Sequence, residues 1–83
     1  MERVVITYQN GPLAQAIQRE KRKNYTKAFN AYQELANAGD MLAEYNLARC
    51  YKQGLGALKD LATALKHYKK SADNGVAQAL TMF

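Results

Sequence analysis

Two stretches of this chain, residues 28–43 and 64–79, carry the same small and aromatic residues in the same register. Ala28 returns as Ala64, Tyr32 as Tyr68, Ala36 as Ala72, Gly39 as Gly75 and Ala43 as Ala79, each pair 36 residues apart. A period of this length belongs to helical repeat arrays, whose units bury their apolar faces on one another rather than in a private core. Such arrays present surfaces for interaction, so the repeat points toward binding and away from catalysis.

The composition fits one small helical domain. Hydrophobic residues make up 48% of the 83 residues, which excludes a disordered composition. Much of that fraction is alanine, which suits close helix packing. There is no Trp, so the six Tyr supply most of the large packing surface. The net charge of +5, from 12 Lys/Arg against 7 Asp/Glu, favours an acidic partner: a protein face, nucleic acid or an anionic membrane. Cys50 is alone, so no internal disulfide is expected. The start Met1-Glu2-Arg3 lacks an apolar leader core, and no apolar run approaches the ~18 residues of a membrane span. A reduced, cytoplasmic setting is the resulting expectation, with no membrane partner.

Along the chain, residues 2–8 lean toward β structure, through Val4, Val5, Ile6, Thr7 and Tyr8. They read as an arm on the first helix, with an exposed pairing edge as the alternative. Asn10-Gly11-Pro12 breaks this stretch, and Pro12 suits the first position of a helix carrying Leu13, Ala16, Ile17 and Glu20 on one stripe. A second helix is expected from about Tyr25 to Ala38, closed by Gly39. A third runs from about Met41 to Gln53, capped by Asp40, with Leu42, Ala43, Leu47, Cys50 and Tyr51 as its apolar positions. A tight turn at Gly54-Leu55-Gly56 leads to Asp60, the cap of a fourth helix from Leu61 to about Asn74. Its inner stripe is Ala64, Leu65, Tyr68 and Ala72. Gly75 ends it as Gly39 ends the second, and Val76 to Phe83 begin a fifth.

These residues resemble a Sel1-like repeat, a relative of the tetratricopeptide helical hairpin. The matching positions are Ala43, Tyr45, Leu47, Tyr51, Gly54, Gly56, Asp60, Ala64, Tyr68, Ala72, Gly75 and Ala79. The Gly-x-Gly turn followed by Asp is the specific part of the pattern. Ala48 stands where the family has Gly; His67 and Ala31 stand where it has Trp, which implies looser packing there. The resemblance divides the chain into residues 1–24, an N-terminal arm with a divergent first helix, and residues 25–83, the repeat region. The fold it implies is all-α: a short α-solenoid of about two antiparallel helical hairpins. About three repeats are normally needed for stability, so the open end at Leu80 and Phe83 is expected to meet a partner or a second copy.

Catalytic constellations are missing from the pattern. His67 is the single imidazole, placed beside the Tyr68 stripe, and reads as a partly buried packing residue. Cys50 reads as core filler without a base beside it. No ligand spacing suggests zinc and no glycine-rich phosphate loop follows a strand, so no metal and no cofactor are expected.

Two candidate surfaces remain. By resemblance, the first helix of each hairpin lines the concave side, which would put Tyr45, Arg49, Lys52 and Gln53 in a groove suited to an acidic segment. Packing is the competing role for Tyr45. Separately, Arg19, Lys21, Arg22, Lys23 and Lys27 form a dense basic cluster, either a solvated face or a dock for an acidic partner. The sequence therefore reads as a non-enzymatic protein-interaction module, an adaptor or inhibitor, with a nucleic-acid-binding protein using residues 19–27 as the alternative. Lys66, Lys69 and Lys70 line the fourth helix, with Lys52 and Lys59 before it, and are open to the same two readings, a solvated outer face or a dock for an acidic partner.

Overall fold

The computed structural model describes residues 11–76 and Ala79. Four helices follow one another: α1 Pro12–Lys21, α2 Tyr25–Asn37, α3 Met41–Gln53 and α4 Leu61–Asp73. Each packs on its neighbours in sequence, α1 on α2, α2 on α3 and α3 on α4. No strand occurs among the described residues. The expected strand or arm at residues 2–8 lies outside them, as do Leu80 and Phe83 and most of the fifth helix. Of that last stretch, Val76 and Ala79 are described, and both are buried.

Local chemistry sets the helix limits. Pro12 begins α1, and its missing N–H costs nothing at a first-turn position. Arg19 and Lys21 occupy the last turn of α1, where cations oppose the negative end of the helix dipole. Asp40 caps α3 by accepting from the backbone N–H of Leu42 (3.0 Å) and Ala43 (3.1 Å). Asp60 caps α4 by accepting from the Thr63 N–H at 3.1 Å, and the Thr63 hydroxyl donates back to it at 2.7 Å.

The repeat is visible at atomic detail. After α2, the N–H of Gly39 donates to the Ala36 carbonyl (3.0 Å) and that of Asp40 to Leu35 (3.0 Å). After α4, Gly75 donates to Ala72 (3.1 Å) and Val76 to Ser71 (3.0 Å). These are paired Schellman closures, offset by the same 36 residues as the sequence.

The core has two linked parts. Tyr32, Ala28 and Ala36 of α2 pack with Ala16 of α1 and with Ala43, Leu47 and Cys50 of α3. Tyr68 and Ala64 of α4 pack with Ala48 of α3, Val76 and Ala79. Tyr32 and Tyr68 are thus in like surroundings, 0% and 1% exposed among alanines that let the helices approach. Tyr51 bridges the two parts. It meets Phe29 of α2 edge-on at 5.4 Å and stacks on His67 of α4 at 5.5 Å.

Two expectations need correction. Leu42, expected among the apolar positions of α3, and Leu65, assigned to the inner stripe of α4, are 48% and 51% exposed. Leu42 follows directly on the first residue of α3 and borders an open apolar depression with Pro12, Leu13 and Ile17 of α1. Leu65 lies on the side of α4 turned away from α3, on which none of the described helices packs.

Gly56 is packed tightly against the first hairpin. A Cβ built there would lie 2.3 Å from the Tyr25 carbonyl oxygen and 2.9 Å from Phe29 Cβ. Its φ of +75° is also left-handed. The Gly-x-Gly turn therefore lets the α3–α4 connection press onto the first turn of α2.

Candidate interaction surfaces

The first helices of the two hairpins, α1 and α3, are joined by an ion pair. Arg49 Nη2 donates to Glu20 Oε2 at 2.7 Å and Nη1 to Oε1 at 3.2 Å. Arg49 Nη1 also donates to Asn46 Oδ1 at 2.9 Å, and the Tyr32 hydroxyl donates to Glu20 Oε1 at 2.7 Å. Side-chain exposure is 24% for Arg49 and 16% for Glu20, so both are largely withdrawn from solvent. Burial opposes the ionised form of Glu20 more than any other single effect. The Arg49 and Tyr32 hydrogen bonds and the Arg49 charge together outweigh it and hold the carboxyl below its ordinary range. Burial, then the Glu20 hydrogen bond, push the Tyr32 phenol far up, so it stays a donor at any physiological pH.

Tyr45, Arg49, Lys52 and Gln53 share α3, but their environments differ. Tyr45 is half-buried, its ring 5.8 Å from that of Tyr68. Arg49 is held by Glu20. Lys52 is partly exposed and Gln53 fully so, in the last turn of the helix. Sequence reasoning placed Glu20 on the inward stripe of α1 yet missed its partner. Its helical spacing from Ala16 and Ile17 was the available signal.

The basic cluster divides. Arg19, Arg22 and Lys27 line one depression of about 420 Å³ together with Gln15, Gln18 and Asn24. A neighbouring groove of about 480 Å³ between α1 and α2 shares Gln15, Arg19 and Lys27 and adds Asn30, Ala31, Leu35 and the acidic Glu34. Lys21 and Lys23 line neither, although both are exposed. Lys21 stands two residues from Arg19 on α1 and so turns to another face of that helix, and Lys23 takes a left-handed φ of 66° in the tight α1–α2 turn. The Asn24 N–H there donates to Arg19 O at 2.8 Å.

His67 Nδ1 donates to Glu44 Oε2, and Lys70 Nζ lies 4.0 Å from Glu44 Oε1. Glu44 is 3% exposed, a carboxylate set among Ala43, Leu47 and Ala48. The looser packing expected at the family's Trp position is thus a polar contact backed by the Tyr51 stack. Cys50 is buried, and burial raises its thiol to about 11, so it is protonated at neutral pH and a poor nucleophile. Among the described residues no group of His, Cys, Asp and Glu is placed to hold a metal ion. No described helix is long and apolar enough to cross a membrane.

Two antiparallel hairpins, with a Gly-x-Gly turn pressed onto α2 of the first hairpin, match the family model of the Sel1 repeat at residues 13–40 and 42–76. The chain belongs to the Sel1 repeat family. The first Sel1 match begins at residue 13 and so runs through α1 as well as α2. Sel1 repeats are helical-hairpin units that mediate protein–protein interaction and are typically non-catalytic. Among curated relatives, chitin synthase regulatory factor 3 of Schizosaccharomyces pombe is 34% identical over 59 residues, 71% of this chain and 6% of that protein. DAP3-binding cell death enhancer 1 of Rattus norvegicus is 36% identical over 57 residues, 69% of this chain and 11% of that protein. The chain thus spans about a tenth or less of the length of either relative. No solved structure gives a significant match.

Proposed function

We propose that this Sel1 chain is a non-catalytic binding module that takes an acidic segment of a protein partner in the depression ringed by Arg19, Arg22 and Lys27. The observation that carries the reading is the convergence of those three cations with the amides of Gln15, Gln18 and Asn24 on one concavity. Cations there supply charge-assisted hydrogen bonds to carboxylates, and the amides supply neutral ones. The net charge of +5 adds long-range attraction for such a segment. The α3 face offers less. Arg49 already serves Glu20, which leaves Lys52 as the cation of that set, with Tyr45 and Gln53 beside it. Both relatives bear names that describe acting on another protein, chitin synthase in one case and DAP3 in the other. They support a protein partner as a class.

Titration with a fluorescent Glu/Asp-rich peptide tests this. Arg19→Glu with Lys27→Glu is expected to weaken binding at least tenfold, about 1.4 kcal/mol. Lys66→Glu with Lys69→Glu, both exposed on α4, should change it less than twofold. Equal losses from both pairs would overturn the assignment. An oligonucleotide that binds more tightly than the peptide, with a steep log–log salt dependence, would favour the nucleic-acid reading.

A further inference from the structure

The two hairpins differ in how the seam between their helices is filled. Ala16 shares a core with Ala28 and Tyr32, and Ala48 shares one with Ala64 and Tyr68. Helix α1 therefore matches α3 with Ala16 on Ala48, just as α2 matches α4 with Tyr32 on Tyr68. In the second hairpin a ring fills the seam. His67 lies flat on Tyr51, 5.5 Å between centroids and 3° between planes, and its Nδ1 donates to Glu44. The counterparts of Glu44, Tyr51 and His67 in the first hairpin are Pro12, Arg19 and Ala31. All three line the groove of about 480 Å³ between α1 and α2. A methyl group at Ala31 stands where the second hairpin has an imidazole, and the groove is the space that this difference opens.

We propose that this groove takes one aromatic side chain with an N–H or O–H donor, tyrosine or tryptophan, from the same acidic partner segment that the Arg19–Arg22–Lys27 depression binds. The inference rests on that reading and deepens it. Arg19 occupies the Tyr51 position. A guanidinium is planar and lies on a ring face as a phenol ring does, with a cation–π attraction added. Pro12, Ala31 and Leu35 supply apolar contact for the body of the ring. Glu34 lines the same groove and is exposed, so it can accept from the donor on the ring. Its charge repels the carboxylates of the segment, which places them toward the cations. Glu34 stands two helical turns from Lys27, roughly 10 Å. An extended peptide covers that distance in about three residues. The groove and the depression share Gln15, Arg19 and Lys27, so one short segment serves both.

The chain has no Trp, so a Trp placed on a peptide gives a signal of its own. Two Glu/Asp-rich peptides are titrated into the full chain, one with a single Trp about three residues from its acidic run and one with Ala there. The Trp peptide is expected to bind at least about fivefold tighter, with its emission shifted to the blue as the ring leaves water. Ala31→His supplies the ring that His67 supplies in the second hairpin. It should bring the two peptides within about twofold of each other while the Ala peptide keeps its affinity. Ala31→Leu fills the same space without a titrating group and should act alike. Equal affinities in the unaltered chain, a comparison that needs no variant, would overturn the proposal. So would a Trp advantage that survives both fillers. Tighter Trp-peptide binding in Val4→Ser with Ile6→Ser would give the groove to residues 1–10 instead. Self-association that the fillers abolish would give it to a second copy. The two readings fail separately. An Ala peptide indifferent to Arg19→Glu with Lys27→Glu sinks the acidic dock, whereas one that needs those cations but gains nothing from Trp sinks the ring site alone.

Discussion

Glu20 and Arg49 lie 29 residues apart in sequence, yet their side chains meet as a two-point ion pair, 2.7 and 3.2 Å, that ties the first helix of one hairpin to the first helix of the next. The Tyr32 hydroxyl donates to the same carboxylate. One acid thereby connects all three helices of the first core cluster. Its removal leaves a largely buried guanidinium and a buried phenol without their acceptor, a far larger loss than breaking an exposed pair.

Arg49→Ala is therefore expected to destabilise the fold by about 2 kcal/mol, and Glu20→Ala by a similar amount, read from urea midpoints at constant m-value. The double variant should lose clearly less than the sum, because the two side chains share one interaction. Strict additivity would mean that the pair contributes nothing to stability in solution.

The same carboxylate sets an acid sensitivity. Glu20 titrates lower in the folded chain than its ordinary value of 4.5. A depressed acid stabilises the fold fully above the unfolded value and loses that contribution as pH falls through the folded one. Stability should accordingly be insensitive to Glu20 above about pH 5 and decline below it. In Glu20→Gln the decline between pH 5 and pH 3 should be shallower than in the unaltered chain, measured as Tm against pH. Parallel curves would rule out a role for this acid.

Gly56 and Gly39 both have positive φ, at +75° and +101°, but differ in surroundings. Gly39→Ala meets open space and carries only backbone strain, about 1–2 kcal/mol. Gly56→Ala adds a collision with the Tyr25 carbonyl, which belongs to backbone and cannot rotate aside. It should cost more than Gly39→Ala and change near-ultraviolet signals from the Phe29–Tyr51 contact, which Gly39→Ala leaves intact. Equal costs would show that the hairpins do not press together there.

His67 and Glu44 join α3 to α4 beneath the Tyr51 stack. His67→Phe keeps a ring on Tyr51 but leaves a carboxylate that is 3% exposed without its imidazole donor. A loss of about 1–3 kcal/mol is expected. Adding Glu44→Leu should recover part of it, because removing both polar partners spares the desolvation penalty. If the double variant is less stable than His67→Phe alone, Glu44 has a role beyond this contact.

Much of the scaffold was legible in the residues themselves. Asp40, Asp60, Gly39 and Gly75 bound the helices because caps and Schellman closures involve groups within six residues of one another. The alanine and tyrosine stripes recur at helical spacing, so the two equivalent core layers follow from a repeated local pattern. The interaction surfaces were legible only in part. Five basic residues are dense in sequence, but the packing of α1 against α2 brings only Arg19, Arg22 and Lys27 to one depression.

The sequence by itself determined the helices, their 36-residue register and the hairpin stacking, since each depends on short-range spacing repeated along the chain. Only the tertiary structure decided that Arg49 belongs to Glu20, that His67 belongs to Glu44, and that Phe29 is covered while Leu65 is left open. Those outcomes depend on which helix crosses which, and at what distance. Groups more than 20 residues apart acquire partners through packing, which no local spacing encodes.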